Sequence, residues 1–151
     1  MKENYKIFFY LCLLAFIFGL AVASNILNIF GLVPNLLLVI TVSALFFGFN
    51  TSKSLLVYLI GFASSAFEPV ISFELLALSF VIILIIMSKR YLSLSNLTNS
   101  SLIIVIGTVL LYLLINYNFI IQSTYLVGLE IMLNVILFIF TIGLISFLKN
   151  V

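Results

Sequence analysis

Residues 124–148 read TYLVGLEIMLNVILFIFTIGLISFL, a run in which Glu130 is the only charged side chain. A helix crosses the hydrocarbon core of a bilayer with about 20 predominantly apolar residues. Backbone polar groups cannot stay unpaired in hydrocarbon, so a run of this kind is expected to form a helix. This stretch therefore predicts a membrane-spanning helix, and similar stretches recur along the rest of the chain.

The whole chain of 151 residues has the composition of a membrane protein. Hydrophobic residues make up 66% of it and charged residues 7%, and its mean hydropathy is +1.47. A soluble domain has roughly a quarter charged residues and under half apolar ones, so a water-soluble globular fold is excluded. At about 20 residues per span, the length accommodates six crossings and no second aqueous domain.

The apolar stretches predict an all-α, polytopic integral membrane protein with a single transmembrane domain covering residues 1–151. The six predicted helices are 7–24, 33–49, 54–67, 71–87, 102–115 and 124–148. The third is close to the length of a buried or interfacial segment, so whether it crosses fully is left open. It is counted because the chain between the second and fourth helices is otherwise unexplained.

The positions of the Lys and Arg residues predict how the chain is oriented across the membrane. With six spans, both termini and the turns at 50–53 and 88–101 share one side of the membrane. All six cations fall on that side: Lys2, Lys6, Lys53, Lys89, Arg90 and Lys149. Positive residues are retained on the cytoplasmic side, so both termini are predicted to be cytoplasmic in a protein of the cell membrane.

The composition also argues against catalysis, metal binding and nucleic-acid binding. Histidine is absent, and the single cysteine, Cys12, lies in an apolar run. A Cys/His metal site or a disulfide framework has no residues to form from, and no enzyme-like nucleophile or oxyanion pattern occurs. The net charge of +2 is too small to indicate a nucleic-acid binder. The sequence thus predicts a non-catalytic protein, without cofactor or metal, that is surrounded by membrane lipids.

Small residues at a spacing of four form a stripe on the first predicted helix: Ala15, Gly19 and Ala23. Small residues let helix backbones approach closely in lipid, where hydrophobicity contributes little to helix association. Two interpretations remain open for this stripe. It packs against another helix of the same chain, or it contacts a partner protein.

Three of the four carboxylates map to the outer half of the predicted protein. Glu68 and Glu74 flank Pro69 at the turn between the third and fourth helices. They are either solvated at the membrane interface or part of an outward-facing acidic cup for a basic segment or a cationic ligand. Glu130 lies about 9 Å into the sixth helix, at 1.5 Å per residue. A charged group inside a span costs free energy and normally faces the interior of the bundle.

Glu130 therefore needs polar neighbours or a proton. Asn134 lies one turn further along the same helix face. Side chains of the preceding connection are further candidates to hold the carboxyl group: Asn116, Asn118 and Gln122. A structural polar clamp and a binding site formed by Glu130 and Asn134 remain equally open.

The segment from about residue 30 to residue 92 resembles the rod shape-determining protein MreD family. Members of that family typically open the second span with a Pro-Asp-Leu-Leu-Leu-like stretch, show spaced glycines, and close the third span with an acidic residue. The matching features here are Pro34-Asn35-Leu36-Leu37-Leu38-Val39, Gly48, Gly61, Glu68 and the ending Lys89-Arg90. Asn35 stands where an acid is common, and Glu68 where aspartate is usual.

The resemblance implies a scaffold component of the bacterial cell-elongation machinery, which organises cell shape and peptidoglycan synthesis. Such a protein would bind an MreC-like bitopic partner and, through it, the wall-synthesis complex. The family's fold is similar to that of the substrate-binding subunits of energy-coupling-factor transporters. This similarity supplies the alternative function, a membrane subunit that binds a vitamin or another small solute. Ala15, Gly19 and Ala23 would then contact the coupling subunit.

Overall fold

The computed structural model describes residues 2–24, 34–65, 72–89 and 91–150. Within these ranges the chain forms helices and no strand, which confirms the all-α class. The helices are α1 (Lys2–Ala23), α2 (Leu36–Phe46), α3 (Thr51–Ser65), α4 (Phe73–Ser88), α5 (Leu97–Ile115), α6 (Tyr117–Gln122) and α7 (Thr124–Asn150). The short α6 was not predicted, and it occupies the connection that precedes the last apolar stretch.

In the described residues, three helices are long and apolar enough to cross a membrane. These stretches are Tyr5–Ala23 in α1, Leu97–Ile115 in α5 and Thr124–Leu148 in α7. Two further apolar helices, α2 and α4, are shorter. The architecture is therefore that of a helical protein with three candidate membrane spans.

Short polar side chains fix where several of the helices begin. The Ser72 hydroxyl accepts a hydrogen bond from the Leu75 amide at 3.2 Å, and the Asn96 side chain accepts one from the Thr98 amide at 3.1 Å. These bonds satisfy amides that have no partner within the helix, so α4 and α5 start there. The turn between α2 and α3 contains Gly48 at φ +79°, a conformation that glycine adopts without strain.

Helix α2 lies at the centre of the bundle. It has 11 residues, and each residue from Leu36 to Leu45 is buried. It packs against α1, α3, α4, α5 and α7. At 1.5 Å per residue it is only about 16 Å long, too short to cross a bilayer by itself. Its ends contact protein, which is the situation in which backbone can stop being helical at membrane depth.

Helices α1 and α3 approach each other closely. A Cβ atom placed on Gly19 would overlap the Gly61 carbonyl oxygen and the Ser64 hydroxyl oxygen. A Cβ atom on Gly61 would lie 3.1 Å from the Ala15 carbonyl oxygen. The spacing of the two backbones therefore depends on glycine at positions 19 and 61.

One end of the bundle, here called the basic end, brings Lys53 and Lys89 together around Phe49. The Lys53 Nζ atom lies 5.5 Å from the ring centroid of Tyr5, 5.7 Å from that of Phe8 and 5.8 Å from that of Phe49. The Lys89 ammonium donates a hydrogen bond to the Phe49 carbonyl oxygen. Burial lowers the pKa of the Lys89 side chain below its usual value. The start of α1, the α2–α3 turn and the end of α4 thus meet at this end.

Candidate functional site

Five polar side chains form a hydrogen-bonded group in the half of the bundle away from the basic end, here called the polar cluster. Its members are Asn35, Thr108, Tyr112, Glu130 and Asn134. They come from the residue before α2 and from the facing sides of α5 and α7. The cluster therefore connects three helices that are far apart in the sequence.

The carboxyl group of Glu130 is at the centre of the cluster. The Asn35 side-chain amide donates to Glu130 Oε1 at 2.6 Å, and the Tyr112 hydroxyl donates to Glu130 Oε2. The Glu130 side chain is 4% exposed. A carboxyl group that is removed from water is expensive unless it is hydrogen-bonded, so these two donors are what makes its burial tolerable.

Asn134 extends the cluster one turn further into α7. Its Oδ1 atom accepts a hydrogen bond from the Asn35 backbone amide at 2.9 Å, and its Nδ2 atom donates to Thr108 Oγ1 at 3.1 Å. Asn134 and Thr108 are both fully buried. Asn35 is thus bound twice to α7, once through its backbone and once through its side chain.

The spacing of the residues explains why the cluster forms. Glu130 and Asn134 are four residues apart on α7, and Thr108 and Tyr112 are four residues apart on α5. Residues at this spacing lie on the same helix face, so each helix presents two polar groups to the other. Asn35 occupies the N-cap position of α2, but its side chain makes no capping hydrogen bond. The Asn35 side-chain amide donates its hydrogen bond to Glu130 instead.

Both oxygens of Glu130 and both ends of the Asn134 amide are hydrogen-bonded within the chain. In the described part of the protein, no buried side-chain nitrogen or oxygen atom lacks a hydrogen-bond partner. A ligand that took over either hydrogen bond of Glu130 would displace Asn35 or Tyr112. As it stands, the cluster can hold α2, α5 and α7 together without any added group.

The structure brings together some of the residues expected to form a site, but not all. Glu130 and Asn134 are adjacent in the cluster. Glu74 is exposed in the first turn of α4 and makes none of the cluster's hydrogen bonds. Glu68 lies outside the described residues. An acidic cup containing Glu68 and Glu74 therefore stays a prediction.

The expected partners of Glu130 in the connection before α7 were wrong. Asn116, Asn118 and Gln122 are exposed, because this connection folds into α6. Asn116 caps that helix, and its Oδ1 atom accepts a hydrogen bond from the Phe119 amide at 3.2 Å. The true partners, which include Asn35 and Tyr112, were missed. The matching four-residue spacing of polar residues on two successive spans was the available signal.

The small residues of the stripe on α1 differ in how far the rest of the chain covers them. Ala15 and Gly19 are buried in the contact with α3, whereas Ala23 is exposed. The first two residues are therefore covered by the chain itself. Ala23 is the member of the stripe that remains accessible at the end of α1.

The side chains of the cluster are amide, hydroxyl and carboxyl groups, with Glu130 as the one carboxyl group among them. The described residues contain no group of three His, Cys, Asp or Glu side chains that could hold a metal ion. Hydrogen bonding is the chemistry that the cluster shows. Comparisons of the chain with protein-family models, with curated proteins and with solved structures found no match.

Proposed function

We propose that this chain is a non-catalytic membrane scaffold of the bacterial cell-elongation machinery, and that it binds an MreC-like bitopic partner and, through it, the wall-synthesis complex. The observation that carries the proposal is the closed polar cluster. Both oxygens of Glu130 and both ends of the Asn134 amide have partners within the chain. Such a cluster fixes the positions of three helices, which is what a partner needs from a scaffold.

The segment that resembles the MreD family takes part in this cluster. Its Pro34-Asn35 entry leads directly into α2, and Asn35 contacts Glu130 and Asn134 of α7. Asn35, which stands where an acid is common in the family, thus joins this segment to α7. This agrees with a role for the segment in shape rather than in chemistry.

The alternative, a substrate-binding subunit of an energy-coupling-factor-type transporter, has less support. That function needs the small-residue stripe of α1 to contact a coupling subunit. Ala15 and Gly19 face α3 instead, and only Ala23 of the stripe is exposed. A polar cluster whose central carboxyl group is already hydrogen-bonded within the chain is also a poor receptor for a small solute.

The scaffold is a multi-pass protein of the cell membrane with six spans and both termini in the cytoplasm. The arrangement of charges supports this topology, because Lys53 and Lys89 meet at the basic end whereas Glu74 begins α4 at the opposite end. The shortness of α2 is compatible with a span, since protein surrounds it.

Accessibility labelling tests the topology. With Cys12 replaced by alanine, Lys53→Cys is expected to resist a membrane-impermeant maleimide in intact cells and to react after the membrane is opened. Glu74→Cys is expected to react in intact cells and is the matched control. Labelling of Lys53→Cys from outside would contradict the orientation.

The function is tested by depletion and co-purification in the bacterium that encodes the chain. Depletion is expected to give rounded cells, and the tagged full-length protein should co-purify with a bitopic shape protein. Glu130→Ala should weaken that co-purification, Glu130→Gln should largely restore it, and Tyr91→Phe, at an exposed tyrosine, should leave it unchanged. Rod-shaped growth after depletion, or a small molecule retained by the purified protein, would count against the scaffold function.

A further inference from the structure

The basic end carries two ammonium groups that both lie next to Phe49. Lys53 lies within 5.8 Å of the ring centroid of Phe49, and Lys89 donates to the carbonyl oxygen of the same residue. Both lysine side chains are half-buried, so their stems are held by the bundle. The rings beneath Lys53 attract its charge but accept no full hydrogen bond, which leaves its three N–H groups available.

The depth of these groups follows from Tyr5. Tyr5 begins the apolar stretch of α1 that is long enough to cross a membrane, and the Lys53 ammonium is 5.5 Å from its ring centroid. Tyr5 itself is 62% exposed, and Tyr91, two residues after Lys89, is 88% exposed. Tyrosine is enriched at the boundary between hydrocarbon and water. The ammonium groups therefore lie at the level of lipid headgroups.

The charge of this end is positive. Ile7 of α1 and Ile145 of α7 pack in the same core cluster as Phe49, so the adjoining turns of these two helices belong to the basic end. Lys6, which precedes Ile7 and is exposed, adds a third cation to the two lysines around Phe49. The surplus of cations calls for an anion.

We propose that the basic end binds the phosphate headgroup of an anionic phospholipid, with Lys53 as the principal contact and Lys89 beside it. A lipid fits better than an acidic protein segment, because the ammonium groups are located where apolar helix surface begins. At that depth a lipid places its phosphate against Lys53 and its acyl chains against α1. The site does not depend on the scaffold function proposed above.

Native mass spectrometry of the purified full-length protein tests the proposal. The protein in detergent is offered equal amounts of phosphatidylglycerol and phosphatidylcholine, and the bound lipids are counted. We expect preferential retention of phosphatidylglycerol. Lys53→Gln should reduce that preference roughly five-fold, which corresponds to about 1 kcal/mol for one cation near a membrane surface. Lys53→Arg should retain it.

Glu74→Gln is the control, since it also changes the net charge by one unit, in the opposite sense and at the other end of α4, and it should not reduce the preference for phosphatidylglycerol. Should Lys53→Gln fail to fold, the unaltered protein at about 1 M salt provides a second measurement. The Debye length is then about 3 Å, so the preference should largely disappear. Equal retention of the two lipids by the unaltered protein would overturn the proposal. Binding of a polyglutamate peptide without a phosphatidylglycerol preference would also overturn it and would assign the surface to an acidic protein.

Discussion

Two contacts hold helices together in this protein by opposite means. In the α1–α3 contact, Gly19 and Gly61 bring two backbones together with almost no side-chain atoms between them. In the polar cluster, a hydrogen bond between two long side chains, Glu130 and Tyr112, joins α7 to α5. Lipid gives little hydrophobic drive for helix association, and small residues and hydrogen bonds are the two remaining means. The α1–α3 contact has no room for an added side-chain atom. The polar cluster, in contrast, is weakened when a polar atom is removed.

The largest effect is expected from adding one methyl group to the α1–α3 contact. Gly19→Ala places a Cβ atom on the Gly61 carbonyl oxygen, a backbone atom that cannot move aside cheaply. Overpacking of this kind costs about 1–3 kcal/mol, and we expect the upper part of that range. The measurement is the free energy of unfolding in detergent micelles.

Gly128→Ala is the matched control for this change. Gly128 is also helical, but a Cβ atom there would have no other atom within 4 Å, and the position is exposed. Alanine is favoured over glycine in a helix by about 1 kcal/mol, so this variant should be as stable as the parent or slightly more stable. Equal destabilisation by both variants would show that the α1–α3 spacing does not depend on Gly19.

A smaller effect is expected from removing the centre of the polar cluster. Glu130→Ala leaves the Asn35 amide and the Tyr112 hydroxyl without their acceptor, at a cost of about 1–2 kcal/mol in the same unfolding measurement. Glu130→Gln keeps an acceptor for Asn35 and should cost less. Glu74→Ala, at an exposed carboxylate, should have no measurable effect. If the glutamine variant were as unstable as the alanine variant, the charge rather than the hydrogen bonds would hold the cluster.

The smallest effect is expected from removing a single hydroxyl group. Tyr112→Phe keeps the ring stacked on Phe119, whose centroid is 5.5 Å away, and deletes only the bond to Glu130. Interhelical hydrogen bonds in membrane proteins contribute about 0.6 kcal/mol on average, and we expect a loss of that size. Tyr91→Phe, at an exposed tyrosine, is the control and should be neutral. A loss as large as that of Glu130→Ala would mean that the cluster depends mainly on α5.

The helices were predictable from hydropathy, but their lengths and surroundings were not. The second predicted helix covers 33–49, whereas α2 ends at Phe46 because Gly48 turns the chain at positive φ. Hydropathy measures composition, and a helix covered by protein has the same composition as one that faces lipid. The central position of α2 therefore could not be read from its residues.

The polar cluster was predictable only in part, because the sequence does not show which helices surround a residue. Glu130 was recognised because a carboxyl group within an apolar run is costly, and Asn134 because it lies one turn away. Asn35 precedes an apolar helix, where a short polar residue is ordinarily a cap. In the structure the Asn35 side chain instead donates a hydrogen bond to Glu130 of α7, which is 95 residues further along the chain. Tertiary contacts over that distance leave no local signal.

The separation between Asn35 and its partners also affects how the protein is made. Glu130 follows Asn35 by 95 residues and Asn134 by 99. A ribosome adds about 5–20 residues per second, so roughly 5–20 s pass before the partners of Asn35 are synthesised. Helix α2 is thus synthesised well before the residues that hold its N-cap. A nascent chain that is halted before α7 would lack both hydrogen bonds that hold Asn35.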